Sequence, residues 1–153
     1  SARLSSGEYE ATVEEIIAAR GEGLFIQEMR DAFDSDIGDA RVALMVVKLT
    51  KSIIVTTNYD RVLENALALQ GEAPAEMVTP AEDNARIIRA QSNGQRALLK
   101  LHGDIRTPSS YVLSKAQYDA SYGGGLPDMK LSLPRKLRHI CKRDAVSLLP
   151  VPI

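Results

Sequence analysis

The chain of 153 residues is short of several features that would each fix a function class. Cysteine occurs once, at Cys141, which excludes an intrachain disulfide and a structural zinc site of the four-cysteine kind, and fits a reducing, cytoplasmic compartment. No apolar run reaches the roughly eighteen residues that a membrane-spanning helix needs, so no membrane partner is expected. The opening SARLSSGEYE has neither the apolar stretch nor the cleavage pattern of a signal peptide. An excess of one charge is missing too. Against 19 Lys plus Arg stand 20 Asp plus Glu, a balance that gives no bulk reason to expect nucleic acid or an anionic membrane. There is no internal repeat, no low-complexity segment, no Ser-His-Asp pattern and no cluster of metal ligands. What remains, 44% apolar and 25% charged, has the proportions of one globular domain with a sizeable core, residues 1–153.

Charge is nevertheless unevenly spread. Residues 1–40 carry ten acidic side chains and three basic ones, whereas Arg135, Lys136, Arg138, Lys142 and Arg143 crowd the other end. Both runs read most economically as solvated helix faces. A basic helix that touches phosphates is the sharper alternative for the second, but no aromatic residues are interleaved with the charges to support it.

Residues 1–50 read as helical. Ser5 and Glu8 stand at capping-box spacing before Tyr9, Val13, Ile16 and Ile17, which share a helical stripe ending near Gly21. Leu24, Phe25, Met29 and Phe33 repeat the period, and ARVALMVVKL follows the polar DSDIGD. Residues 51–122 differ. Ile53, Ile54 and Val55 are consecutive and β-branched, as in a strand of a parallel sheet buried on both faces, and ALLKLH (Ala97 to His102) is its predicted partner. Between them lie a helix over Val62–Leu67, a short strand at EMVT and a helix around Ile87. YVLS reads as a strand or an extended loop, and Ser114 with Gln117 predicts a capped helix holding Tyr118 and Tyr122. In residues 123–153, GGGLP breaks the chain, a helix spans roughly Leu133 to Lys142, and AVSLL is a last strand candidate before Pro150. The expected architecture is α/β, a Rossmann-like parallel sheet with flanking helices.

In such a sheet, residues just past the carboxyl ends of strands line the ligand crevice. Asn58 stands past one such end and His102 closes another, so two polar side chains on separate strands can converge. Asn58 is also a good helix N-cap, with Asp60 favoured near the positive end of that helix. His102 before Gly103 could equally serve as a turn histidine bonded to backbone. The argument for chemistry rests on the pair.

IIVTTNYDRVLENAL, LLKLHGDI and YVLSKAQYDASYG, in that order, resemble the sirtuin-like domain of prokaryotic NAD hydrolases, a family found largely in anti-phage defence systems. The resemblance covers about Ala40 to Tyr122 well. It implies a Rossmann-like domain that takes NAD as substrate and cleaves between nicotinamide and ribose. By the same resemblance, Asn58 addresses the nicotinamide ribose and positions water, Asp60 is an acidic partner near the carboxamide, and His102 is the base. Gly103 is the small residue that lets backbone approach the ligand, and Thr56 and Thr57 complete the cofactor-contacting set. Protein deacylation is disfavoured, because one cysteine cannot build the zinc module usual in sirtuin deacylases. The alternative from another class is an inactive NAD- or nucleotide-binding or assembly module.

Two departures accompany the resemblance. The family opens with a strand entering a GAG-x-S type loop that brings phosphates against a helix N-terminus, whereas RGEGLF here follows a helical pattern. At the far end prolines stand where a further strand and turn belong. These departures predict a domain incomplete at both ends, with a homo-oligomer partner or a companion segment covering apolar edges.

Overall fold

The computed structural model describes residues 9–34, 40–74, 76–80, 82, 84–143 and 147–149. The capping box expected at Ser5 and Glu8 lies outside these residues. Three helices come first, α1 (Tyr9–Arg20), α2 (Glu22–Phe33) and α3 (Arg41–Leu49). There follow β1 (Ile53–Thr56), α4 (Val62–Leu69), β2 (Glu76–Val78), α5 (Asn84–Ser92) and β3 (Ala97–Lys100). A 3-10 turn at Pro108–Ser110, α6 (Lys115–Tyr122), α7 (Ser132–Arg143) and β4 (Ser147–Leu149) complete the order.

The four strands form one sheet in the order β2-β3-β1-β4, with every pairing parallel. Ile53 pairs with Ala97 and Thr56 with Lys100, so β1 and β3 end in step. AVSLL does supply the last strand, beside β1. YVLS supplies none. Tyr111 to Leu113 run as coil, anchored where the Val112 N–H donates to the His102 carbonyl at 3.0 Å.

Consecutive β-branched residues are needed in β1 because helices cover both faces of the sheet. Ile53 and Val55 point to one side, where Leu99, Ile87 of α5 and Leu133 and Ile140 of α7 close a core. Ile54 and Leu98 point to the other, against Val46 and Val47 of α3 and Leu63, Ala66 and Leu67 of α4. The period of two along the strands thus divides one apolar run between two cores.

Three buried cations tie the layers together. At the amino end of β3, Arg96 donates to the Val47 carbonyl at 3.0 Å and the Thr50 carbonyl at 2.7 Å, satisfying acceptors that the end of α3 leaves open. Lys136 of α7 donates to the carbonyls of Thr79, Pro80 and Glu82, just past β2. This lysine therefore faces inward and leaves the basic run it was expected to share with the exposed Arg135 and Arg138. Lys100, the last residue of β3, is fully buried. Its ammonium donates to the Tyr59 carbonyl at 3.0 Å, to the Asp60 carbonyl, to Glu64 Oε1 at 3.1 Å and to Asp104 Oδ2 at 2.8 Å.

Replacing Lys100 with Met would leave the buried carboxylates of Glu64 and Asp104 without their cation. The expected loss is about 3–5 kcal/mol of folding stability. Urea denaturation of the full chain checks this, and a midpoint equal to wild type would contradict it.

Candidate functional site

The turn from β1 into α4 is built by its own polar side chains. The Asn58 N–H donates to Thr56 Oγ1 at 3.1 Å, and the Val62 N–H donates to Asp60 Oδ1 at 3.1 Å. Asp60, and not Asn58, thus satisfies an open donor in the first turn of α4. Asn58 is released from the capping role open to it in the sequence. Its Nδ2 instead donates to Asp60 Oδ2 at 3.3 Å, which orients the amide against the carboxylate.

Past β3 the chain is held as closely. The Leu101 N–H donates to the Thr56 carbonyl at 2.8 Å, and the Ile105 N–H to the Tyr59 carbonyl at 3.0 Å, stitching the two strand ends together. Gly103 turns the chain at φ +101°, where a Cβ would come within 2.3 Å of the Ser110 carbonyl oxygen. The chain's own close approach therefore already requires glycine here. Thr56 likewise is buried and spends its hydroxyl on the turn, so it does not line the cavity described next.

A cavity of about 460 Å³ opens at the carboxyl edge of the sheet, and Thr57, Asn58, Asp60 and His102 line it together. Tyr9 and Glu10 of α1 and Phe33 of α2 roof it, and Tyr118 of α6 forms a wall. Polar links join the roof to the segments after β3. The Ala116 N–H donates to Glu14 of α1 at 3.3 Å, and Arg106 pairs with Asp34, just past α2, at 3.1 Å. A volume near 460 Å³ falls in the range of small-molecule sites, roughly 300–1,000 Å³.

Tyrosines surround His102. Tyr118 presents its hydroxyl 3.2 Å from Nε2 and 3.4 Å from Nδ1, and the rings of Tyr59 and Tyr122 lie with centroids 6.1 and 6.4 Å away. The Tyr59 hydroxyl donates to the Val112 carbonyl at 2.8 Å. Burial holds the imidazole below its ordinary range, because a charged ring would lose its water. Burial, with Tyr118 as a smaller cause, pushes Tyr122 up to about 12, and burial above all pushes Tyr59 well above its usual value. At neutral pH the cluster is a neutral base among protonated phenols.

Sequence reasoning missed Lys100, Tyr59, Tyr118 and the helical roof. Lys100 had a visible signal, as the one lysine inside ALLKLH, the run read as the partner of a strand buried on both faces. The other three sit on segments far apart in sequence, with no local pattern that joins them.

The fold and crevice define an α/β domain of the Rossmann-like class, with its polar site at the carboxyl edge of a parallel sheet. The profile of the family described as SIR2-like domain matches residues 52–149, about two thirds of the chain, and covers both strand ends of the site. The chain belongs to the SIR2-like domain family. No curated protein matches it. Among the described residues, no group of three or more His, Cys, Asp or Glu is placed to hold a metal ion, and no helix is long and apolar enough to cross a membrane.

His102 should titrate with a midpoint below 6.5, since burial disfavours its charged form. Imidazole NMR checks this directly. The chain has two histidines, so a His139→Gln variant assigns the resonances. A midpoint at or above 6.5 would contradict the burial argument.

Proposed function

We propose that this domain takes NAD as its substrate and cleaves the bond between nicotinamide and ribose. The single observation that supports this most is the convergence of Asn58, Asp60 and His102, from two strand ends, on one cavity in a SIR2-like domain. As the ribosyl carbon–nitrogen bond breaks, its electron pair leaves with neutral nicotinamide and the ribose becomes oxocarbenium-like. On this reading the Asp60 carboxylate, which lines the same cavity, is the acidic partner near the nicotinamide carboxamide. The Asn58 amide oxygen, which its bond to Asp60 leaves free, orients the attacking water. Neutral His102 takes the proton from that water or from a ribose hydroxyl, and ADP-ribose and nicotinamide are the products.

A second reading, a binding or assembly module without catalysis, is favoured by one observation. Gly21 joins α1 to α2 and Gly123 to Gly125 join α6 to α7, so these glycine turns connect helix to helix. The cradle for a dinucleotide's phosphates is a glycine turn that leads from a strand into a helix N-terminus. On this reading the nicotinamide ribose is met and the pyrophosphate is held poorly.

Two measurements separate the readings. His102→Ala and Asn58→Ala should each lower nicotinamide release by about a hundredfold or more, with an unchanged circular dichroism spectrum. The acid limb of the wild-type profile should lie below 6.5, because activity needs neutral His102 and is lost as pH falls through its lowered pKa. Near-normal release by either folded variant would refute the assignment, and no release by wild type would leave the binding module. In calorimetry the chain should bind NAD more weakly than low-micromolar. Low-micromolar affinity would show that the phosphates have a cradle after all.

A further inference from the structure

We infer that the cavity is a site for a flat organic cation: it recognises the positively charged nicotinamide–ribose half of its substrate, and the phosphate-free riboside is turned over at least as efficiently as NAD. The inference rests on the NAD-cleavage reading for its turnover, though not for its binding test.

Carboxylates line the cavity from two sides, Asp60 from the turn after β1 and Glu10 from α1 in the roof. Glu10 is half-buried, and its charge is felt beside His102. Burial, with Glu10 as a smaller cause, holds the Tyr118 phenol above its usual range, and that phenol stands 3.2 Å from His102 Nε2. The rest of the lining is rich in aromatic rings, with Tyr9, Phe33, Tyr59 and Tyr118 all bordering the same space. Among the described residues, no lysine or arginine lines it. Lys115 of α6 lies near α1, but its ammonium is bound to Asp119 at 2.8 Å and does not border the cavity.

Aromatic rings attract a cation through the negative charge of their faces, and carboxylates attract it directly, most strongly where protein replaces water. The nicotinamide ring is such a cation for as long as it is joined to ribose, and it is flat. The pyrophosphate of the same molecule is an anion, which the Glu10 and Asp60 carboxylates repel. One end of the dinucleotide is therefore drawn into the cavity and its middle is pushed out. The riboside alone meets every group that attracts and none that repels. When its carbon–nitrogen bond breaks, the electron pair goes to the ring and neutral nicotinamide leaves. Water gives its hydroxyl to the ribose and its proton to His102. The freed nicotinamide has lost the charge that the cavity holds, which favours its release.

Titrations of the full chain followed by NMR test this recognition without any turnover. The probes are nicotinamide methylated on its ring nitrogen, a cation, and plain nicotinamide, its neutral counterpart. The cation should bind at least about tenfold more tightly. In Glu10→Gln that advantage should fall severalfold, with an unchanged circular dichroism spectrum. In Glu22→Gln, which removes a carboxylate of α2 that does not line the cavity, the advantage should stay. Equal affinities in wild type, binding of neither probe, or an undiminished advantage in folded Glu10→Gln overturns the inference, and so does an equal loss in Glu22→Gln. If Glu10→Gln does not fold, the comparison of the two probes on wild type decides alone. Where wild type releases nicotinamide, kcat/KM for nicotinamide riboside should equal or exceed that for NAD, and a preference for NAD overturns the inference too. Release from the riboside alone would support the inference and correct the NAD reading. Release from neither would refute cleavage and leave the titrations to decide what the cavity recognises.

Discussion

The Lys100 ammonium is the interaction on which the rest depends. An ionised lysine out of water is costly unless every donor finds an acceptor. Here three donors are shared among the carbonyls of Tyr59 and Asp60 and the carboxylates of Glu64 and Asp104. Those partners belong to the turn after β1, to α4 and to the turn after β3. One side chain thus fixes the relative positions of the two strand ends that carry Asn58 and His102. The lysine never enters the cavity, yet the cavity has its shape because the lysine is satisfied.

The rest of the sheet edge extends the same logic. Thr56 and Asp60 spend their side chains on the backbone of the turn, Gly103 makes room for the Ser110 carbonyl, and Asn58 and His102 are left facing open space. Buried polar groups that are fully paired rigidify their surroundings, and a rigid edge is what a reaction governed by positioning requires. Among the described residues, one oxygen of Glu64 finds no hydrogen-bond partner in this network.

The roof is of another kind. Among its described residues α1 buries none and α2 buries only Phe25, so neither helix is anchored by a large core face. Two of their polar links, Glu14 to the start of α6 and Asp34 to Arg106, involve exposed or half-exposed groups that salt screens. The sheet edge is held by buried charge and the cover by surface contacts.

The sequence by itself determined the parallel α/β class, because consecutive Ile53, Ile54 and Val55 and the ALLKLH run suit only strands covered on both faces. It also pointed to Asn58 and His102 near the ends of those runs, although β1 ends at Thr56 and β3 at the buried Lys100, so both side chains stand in the turns two residues beyond. The capping box at Ser114 and Gln117 was legible for the same local reason, a hydrogen bond between near neighbours in the chain. Tertiary structure alone decided that Asp60 and not Asn58 serves α4, that Lys136 turns inward, and that Tyr118 meets His102. Each of these choices depends on which distant backbone or ring arrives within about 3 Å, the reach of a hydrogen bond. Local pattern sets the period and polarity of an element, and only packing sets what lies across from it.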